Sequence, residues 1–250
     1  MTETEFSNTT QFLDHISLDC VIFGFHENEL KVLALHYKNS GQYALPGGFL
    51  ATNESLEDAA KRVLKERTGL ENIFLKQFNV FSAPDRSNFN PAVKSILENT
   101  EDFDLQFFNQ RFISVGFYAL VEFTKVHPQP DEFSDSCDWI GVSENMGLMM
   151  DHNEIVRKAL ETMRLQLNNQ PIGYSLLPDK FTMPELQKLY ETILDKELDR
   201  RNFQRKILSY KILNKLEERR TGGAYKSPFL YEFNLANYQK ALYDGLTGGW

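Results

Sequence analysis

The sequence predicts an α+β protein: an N-terminal α/β/α sandwich built on a mixed sheet, then a smaller C-terminal part that runs helix, turn, helix and β-hairpin. Three observations predict it. Apolar, β-branched or aromatic runs alternate with a single amphipathic helix as far as Trp139, helical periodicity takes over after it, and two short strand-like runs around a basic loop follow the last helix.

Residues 18–25 and 30–37 are nearly continuous apolar runs separated by His26–Glu27–Asn28–Glu29, the pattern of two strands joined by a tight turn. Because the runs barely alternate, both faces of these strands are expected to be covered. Residues 41–50 give a short strand ending in the turn Pro46–Gly47–Gly48. Residues 55–68 then set Leu56, Ala59, Ala60, Val63 and Leu64 on one helical side, and Gly69 stands where a helix commonly stops in the left-handed conformation. Strands resume at 73–81 and 112–123 on β-branched and aromatic content. Between them, 87–110 is longer than most connections in a compact domain; Asn90–Pro91 ahead of Val93, Ile96 and Leu97 is a helix-start signal within it.

Helices are expected at 153–167, 182–194 and 200–212. The second opens on Thr182–Met183–Pro184–Glu185, a capping box, and the third on Asp199, a capping carboxylate that suits the positive end of the helix dipole. Strands at 213–217 and 229–233 flank a glycine-containing loop, completing the order of a winged helix-turn-helix. The expected domains are 1–150, a joint at 151–175, and 176–250.

The 42% hydrophobic and 25% charged content excludes a chain that is mostly disordered. No apolar run reaches the ~18–20 residues of a membrane-spanning helix. With the polar, acidic start MTETEFSNTTQ, the expectation is a cytoplasmic protein without an export signal. Cys20 and Cys137 sit in apolar or aromatic settings without metal-ligand spacing, so two buried free thiols are expected. The net charge of −8 conceals an asymmetry: residues 200–226 hold nine Lys/Arg and two Asp/Glu, a local +7, which leaves −15 on the rest. A basic segment on an acidic body reserves one face for phosphate.

Gly48, Glu54, Arg62, Glu66 and Gly69–Leu70 follow the spacing of the Nudix signature, and with LPGGF the first ~150 residues resemble the Nudix fold. In active Nudix hydrolases the helix carries three carboxylates that hold Mg²⁺ or Mn²⁺; here those positions are Val63, Glu66 and Arg67, and their summed charge falls from −3 to 0. Hard cations need several anionic oxygens to offset lost hydration. The expectation is therefore no metal, no cofactor and no catalytic residue. Gly47, Gly48 and Arg62 would preserve a loop and helix scaffold in which Glu54 or Glu66 pairs Arg62. Gly47, Gly48, Arg62, Glu66, Asp85 and Arg86 are the candidate effector-binding residues.

At 100° per residue, Phe203, Ile207 and Leu208 form an inner stripe that turns Arg201, Asn202, Arg205 and Ser209 outward. Arg reads guanine, Asn or Gln reads adenine, and any cation meets phosphate. Arg200, Arg201, Asn202, Gln204, Arg205 and Lys206, with Arg219, Arg220 and Lys226 from the loop, are the candidate DNA contacts. Together the altered Nudix box, DHNEIVRKALETMR, LLPDKFTMPELQKLYETIL, LDRRNFQRKIL and PFLYEFN resemble the Nudix-related transcriptional regulators of the NrtR type, a family that includes pentose-utilisation regulators. The motif Asp85–Arg86 and the strand at 113–121 fit the same family, whereas 87–110 exceeds its usual short connection.

That resemblance implies a homodimer that binds a palindromic double-stranded DNA operator of a metabolic operon, under control of a small effector. ADP-ribose-type nucleotides and free sugars such as arabinose serve known members. With Val63 and Arg67 in the box, a sugar or sugar phosphate is expected in preference to ADP-ribose. The alternatives are a metal-dependent phosphohydrolase of a nucleoside diphosphate derivative and a ligand-binding module that acts through protein partners.

Overall fold

The computed structural model describes residues 12–38, 41–71, 73–86, 107, 110–143, 145–171, 173–220 and 227–246. The segment at 87–110, apart from Phe107 and Gln110, and Lys226 of the wing lie outside the described residues. The chain divides into two compact units; the second comprises the residues from Leu160 onward with the short stretches Gly24–Leu30 and Val121–Phe123.

The first unit is built on β1 (Phe12–His26), β2 (Glu29–Tyr37), β3 (Tyr43–Ala44), β4 (Gly47–Ala51), β5 (Phe74–Phe81), β6 (Ile113–Val121) and β7 (Ser134–Gly141), with α1 (Leu56–Thr68) after β4. The sheet order is β3-β2-β1-β6-β5, with β4 added to β1 and β7 to β2. Glu27 and Asn28, at φ 51° and 65°, make the two-residue turn whose twist suits a hairpin. The apolar centres of β1, β2 and β6 are buried, Cys20 to Phe23, Val32 to Leu35 and Phe117 to Val121 among them, so these strands are indeed covered on both faces.

Ser55 caps α1 by accepting the Asp58 N–H, and Gly69 ends it at φ 73° with its own N–H on the Lys65 carbonyl. Ala59, Ala60, Val63 and Leu64 are buried along one stripe. Burying the last two side chains contributes about 1.5–3 kcal/mol each.

Strand β7 has no counterpart among the expected elements. Its alternation of Ser134, Ser136 and Asp138 with Cys137 and Trp139 reads weakly as a strand, and pairing with β2 from Lys31↔Gly141 to Tyr37↔Ser134 supplies what local propensity lacks. β1 starts earlier than expected, at Phe12, and its register against β4 shifts between Phe12 and Ser17, where His15 takes φ 65°.

Helix α2 (His152–Leu167) leads into β8 (Phe181–Thr182), α3 (Met183–Leu194), α4 (Arg200–Ser209), β9 (Leu213–Arg219), β10 (Phe229–Phe233) and α5 (Leu235–Asp244). A small antiparallel sheet runs β8-β10-β9. The capping box is present on both sides: Glu185 N–H donates to Thr182 Oγ1 and Thr182 N–H to the Glu185 carboxylate. Helix α4 stops at Ser209 rather than 212, because Lys211 turns left-handed at φ 56° and delivers Ile212 into the core. Phe203 and Ile207 supply the inner stripe; Leu208, expected to join them, lies 100° further round and is 40% exposed.

Helix α5 was not expected. Tyr238 anchors it, packing its ring on Tyr174 and Phe233 and accepting the Gly173 and Tyr174 N–H groups at its hydroxyl. Among the described residues no helix is long and apolar enough to cross a membrane.

Candidate nucleic-acid interface and effector site

On α1 the box residues close on one another. Arg62 donates to Glu54 through Nε at 3.2 Å and Nη2 at 2.7 Å, and Nη2 also reaches the Phe49 carbonyl at 3.2 Å. Glu54 accepts the Ala51 N–H as well, which ties the loop after β4 to the helix. Partial burial works against its ionisation, but the hydrogen bonds from Arg62 and Ala51 outweigh that and hold its carboxyl below the usual carboxylate range. Glu66 lies between two cations, 3.9 Å from Arg62 Nη1 and 3.4 Å from Arg67 Nη2. Both partners expected for Arg62 are thus present.

The residues of the box do not fit a divalent cation. The Val63 Cγ2 methyl lies 3.4 Å from where a Cβ on Gly48 would stand, so hydrocarbon fills the place of the first carboxylate. The remaining carboxylate, Glu66, is committed to two guanidinium groups. Among the described residues no group of three or more His, Cys, Asp or Glu is arranged to hold a metal. Both cysteines are buried free thiols, and burial pushes Cys137 up to about 12 and Cys20 higher still.

The remaining effector candidates divide. Gly47 packs against β1, where a Cβ would meet the Leu18 carbonyl oxygen at 2.7 Å and Asp19 Oδ1 at 3.1 Å, so only glycine fits there. Asp19 belongs to a buried polar cluster missed by sequence reasoning: its Oδ2 accepts Ser114 Oγ at 2.6 Å and Arg86 Nη2 at 3.3 Å. Arg86 also grips Asp151 through Nε at 2.8 Å and Nη2 at 3.1 Å, and its Nη1 donates to the Phe112 carbonyl. The Leu45 N–H donates to His152 Nδ1, which leaves the ring N–H on Nε2, 3.6 Å from Asp19 Oδ1.

Arg86 and Asp151 line a cleft of about 520 Å³ together with Asp85, Glu154, Phe81 and Met150. Met150 is held at φ 51° and stays 45% exposed, which presents an apolar side chain at this cleft. Asp85 and Arg86 therefore share one cavity, and its carboxylates outnumber its single cation.

Helix α4 disposes of its charges differently. Asp199 accepts the Asn202 N–H at 2.9 Å, and Arg205 Nη2 donates to Asn202 Oδ1 at 2.9 Å. Arg200, Arg201, Asn202 and Arg205 are exposed. Among the described residues none of the three arginines makes an ion pair. Gln204 and Lys206 are half-buried, and burial, then Lys196, pulls the Lys206 ammonium below its usual value. At the wing, Arg219 covers the Phe229 ring at 3.8 Å and donates to the Ser227 carbonyl, while Arg220 Nη2 sits 2.7 Å from both oxygens of Glu185.

A NUDIX domain profile matches residues 14–163, and the NrtR DNA-binding winged helix domain matches residues 173–233. The ADPR responsive transcriptional repressor NtrR of Acinetobacter baylyi is 25% identical over 230 residues, 89% of this chain and 83% of that protein. An ADP-ribose pyrophosphatase of Methanocaldococcus jannaschii is 41% identical over 66 residues, 25% of this chain and 39% of that enzyme. Shewanella oneidensis NrtR complexed with a 27mer DNA superposes with a TM-score of 0.71 at 24% identity, over 90% of this chain and 96% of that one, a likeness of fold. The chain belongs to the Nudix family, and its Nudix domain is followed by an NrtR-type DNA-binding winged helix domain.

Proposed function

We propose that the protein is an effector-controlled transcriptional regulator of a metabolic operon, in which residues 176–250 bind DNA, residues 1–150 sense a small molecule without hydrolysing it, and 151–175 join the two. The observation that carries this reading is the α4 face, where Arg200, Arg201, Asn202 and Arg205 are exposed and the arginines lack carboxylate partners among the described residues. The pattern suits a recognition helix, whose N-terminal residues meet base edges. A homodimer would set two such helices into successive major grooves about 34 Å apart on a palindromic site, and effector binding would shift the population away from that spacing.

The effector we favour is an ADP-ribose-type nucleotide held without metal. The repressor similar over most of this chain responds to ADPR by name, and the box helix, with no net charge on Val63, Glu66 and Arg67, suits binding without hydrolysis. The preference for a sugar or sugar phosphate finds no support among these relatives. A neutral sugar stands as the second reading because the cleft at Asp85, Arg86, Asp151 and Glu154 has a surplus of carboxylates, which accept hydroxyls more readily than they admit a diphosphate.

The test is a gel shift with duplexes from around the protein's own operon, titrated with ADP-ribose, pentoses and pentose phosphates, beside an assay for Mg²⁺-dependent turnover of ADP-ribose. Release by ADP-ribose without turnover is expected, and release by a pentose alone would select the second reading. Turnover lost in Glu66→Gln, with no specific shift, would overturn the proposal in favour of a hydrolase.

A further inference from the structure

The wing arginines expected to touch DNA are engaged within the protein, and one engagement has an unusual form. Glu185 is the third residue of α3 and does two jobs with one carboxylate. Its Oε2 accepts Thr182 N–H at 2.6 Å and Thr182 Oγ1 at 3.0 Å, which completes the capping box. Both its oxygens also lie 2.7 Å from Arg220 Nη2. Arg220 stands immediately after β9, and its N–H closes the wing on the Pro228 carbonyl at 3.0 Å. A parallel tie, Lys180 Nζ to both oxygens of Glu218 at 2.8 Å, fastens the approach to β8 to the same strand.

Among the described residues only Nη2 of Arg220 has a side-chain partner, and its Nε and Nη1 have no acceptor there. Both members of the pair are about half-exposed, at 44% and 43%, so the pair adds little to stability by itself. What it does is orientation. A long arginine chain at the root of a loop would otherwise lose rotamer freedom on meeting DNA; tethered by one nitrogen, it presents the remaining donors of its fork already aligned.

We propose that Glu185 is a positioning residue for DNA binding, holding Arg220 by one nitrogen so that its Nε and Nη1 donors meet a backbone phosphate beside the recognition helix. The proposal rests on the DNA-binding reading above. It also assigns the two neighbouring wing arginines different tasks. Arg220 contacts phosphate, whereas Arg219, laid over Phe229 and bonded to Ser227, stabilises the hairpin.

Glu185→Gln isolates the effect, because a glutamine oxygen still completes a capping box while the charge that holds Arg220 is gone. The full-length variant should keep its helical circular dichroism and melting temperature. Its affinity for an operator duplex should fall, and its salt dependence should lose the same share as Arg220→Ala, about 0.9 in the slope of log K against log salt for one phosphate. Arg220→Ala should cost about tenfold in affinity, and Glu185→Gln should add nothing on top of it.

Tighter binding by Glu185→Gln would mean that the glutamate masks Arg220 and would overturn the proposal, as would full additivity in the double variant. An unchanged salt slope in Arg220→Ala, where Arg201→Ala does lose affinity, would overturn it too while leaving the DNA-binding reading intact. If wild type and Arg201→Ala both fail to bind any duplex, that broader reading fails first.

Discussion

Helices α1 and α4 both carry arginine-rich polar faces over a buried apolar stripe, and they use those arginines in opposite ways. On α1, Arg62 and Arg67 are closed against Glu54, Glu66 and backbone carbonyls. On α4, Arg200 and Arg201 end in solvent, and Arg205 touches only the neutral Asn202 among the described residues. Residue type alone does not separate scaffold from binding surface; what separates these two helices is whether their cations already have anions on the same helix or the loop before it. A helix that pairs its own charges gains local stability and loses appetite for a ligand. One that leaves them open carries self-repulsion that phosphate relieves.

Substitutions should sort along that divide. The largest effect is expected where pairing is deepest. Arg86→Ala would strand Asp19 and Asp151 beside one another with no cation, at a cost of about 3–5 kcal/mol of folding stability. Denaturant melts of the full chain measure it; a loss under about 1 kcal/mol would mean that water already reaches the cluster.

Next comes a crossed pair. Arg201→Ala should cost about 1–3 kcal/mol in operator affinity if it reads a base, with little change in stability. Arg62→Ala should do the reverse, costing about 1–2 kcal/mol of stability by leaving Glu54 part-buried without its partner, with DNA affinity unmoved in anisotropy titrations.

Smaller again is the gain from reopening the box. In Val63→Glu/Arg67→Glu three carboxylates would share the α1 face, and Mg²⁺ at about ten times its dissociation constant should stabilise that variant by about 1.4 kcal/mol, read as a rise in melting temperature. The wild-type chain should show no such response. The smallest effect is on the acid limb. The folded-state pKa of Glu54 is depressed, so its contribution is full above the unfolded value near ~4.3 and is lost as pH falls through the folded value. Arg62→Ala should flatten that part of the stability profile.

What the sequence disclosed was local. The Glu27–Asn28 turn, the capping box at Thr182 and Glu185, the stop at Gly69 and the Arg62–Glu54 pairing each rest on residues a few positions apart or on a fixed motif spacing, and each is present. What it withheld was tertiary. The cluster on Asp19 joins partners 67 and 95 residues away, and nothing in their spacing marks them. Strand β7 exists because β2 offers an edge, and α5 because Tyr238 finds amides 64 and 65 residues upstream. Leu208 shows the limit of a helical wheel near a helix end: Lys211 breaks the helix before another inward turn can form, so the stripe ends at Ile207.

The measurement that bears most directly on the contrast between the two helices is the salt dependence of operator binding, by fluorescence anisotropy between about 50 and about 200 mM salt, for the wild-type chain, Arg201→Ala and Arg67→Ala. The account predicts steep salt dependence for the wild type, reduced affinity in Arg201→Ala, and an Arg67→Ala curve that overlays the wild type. Binding that ignores salt, or that falls as far in Arg67→Ala as in Arg201→Ala, would contradict it.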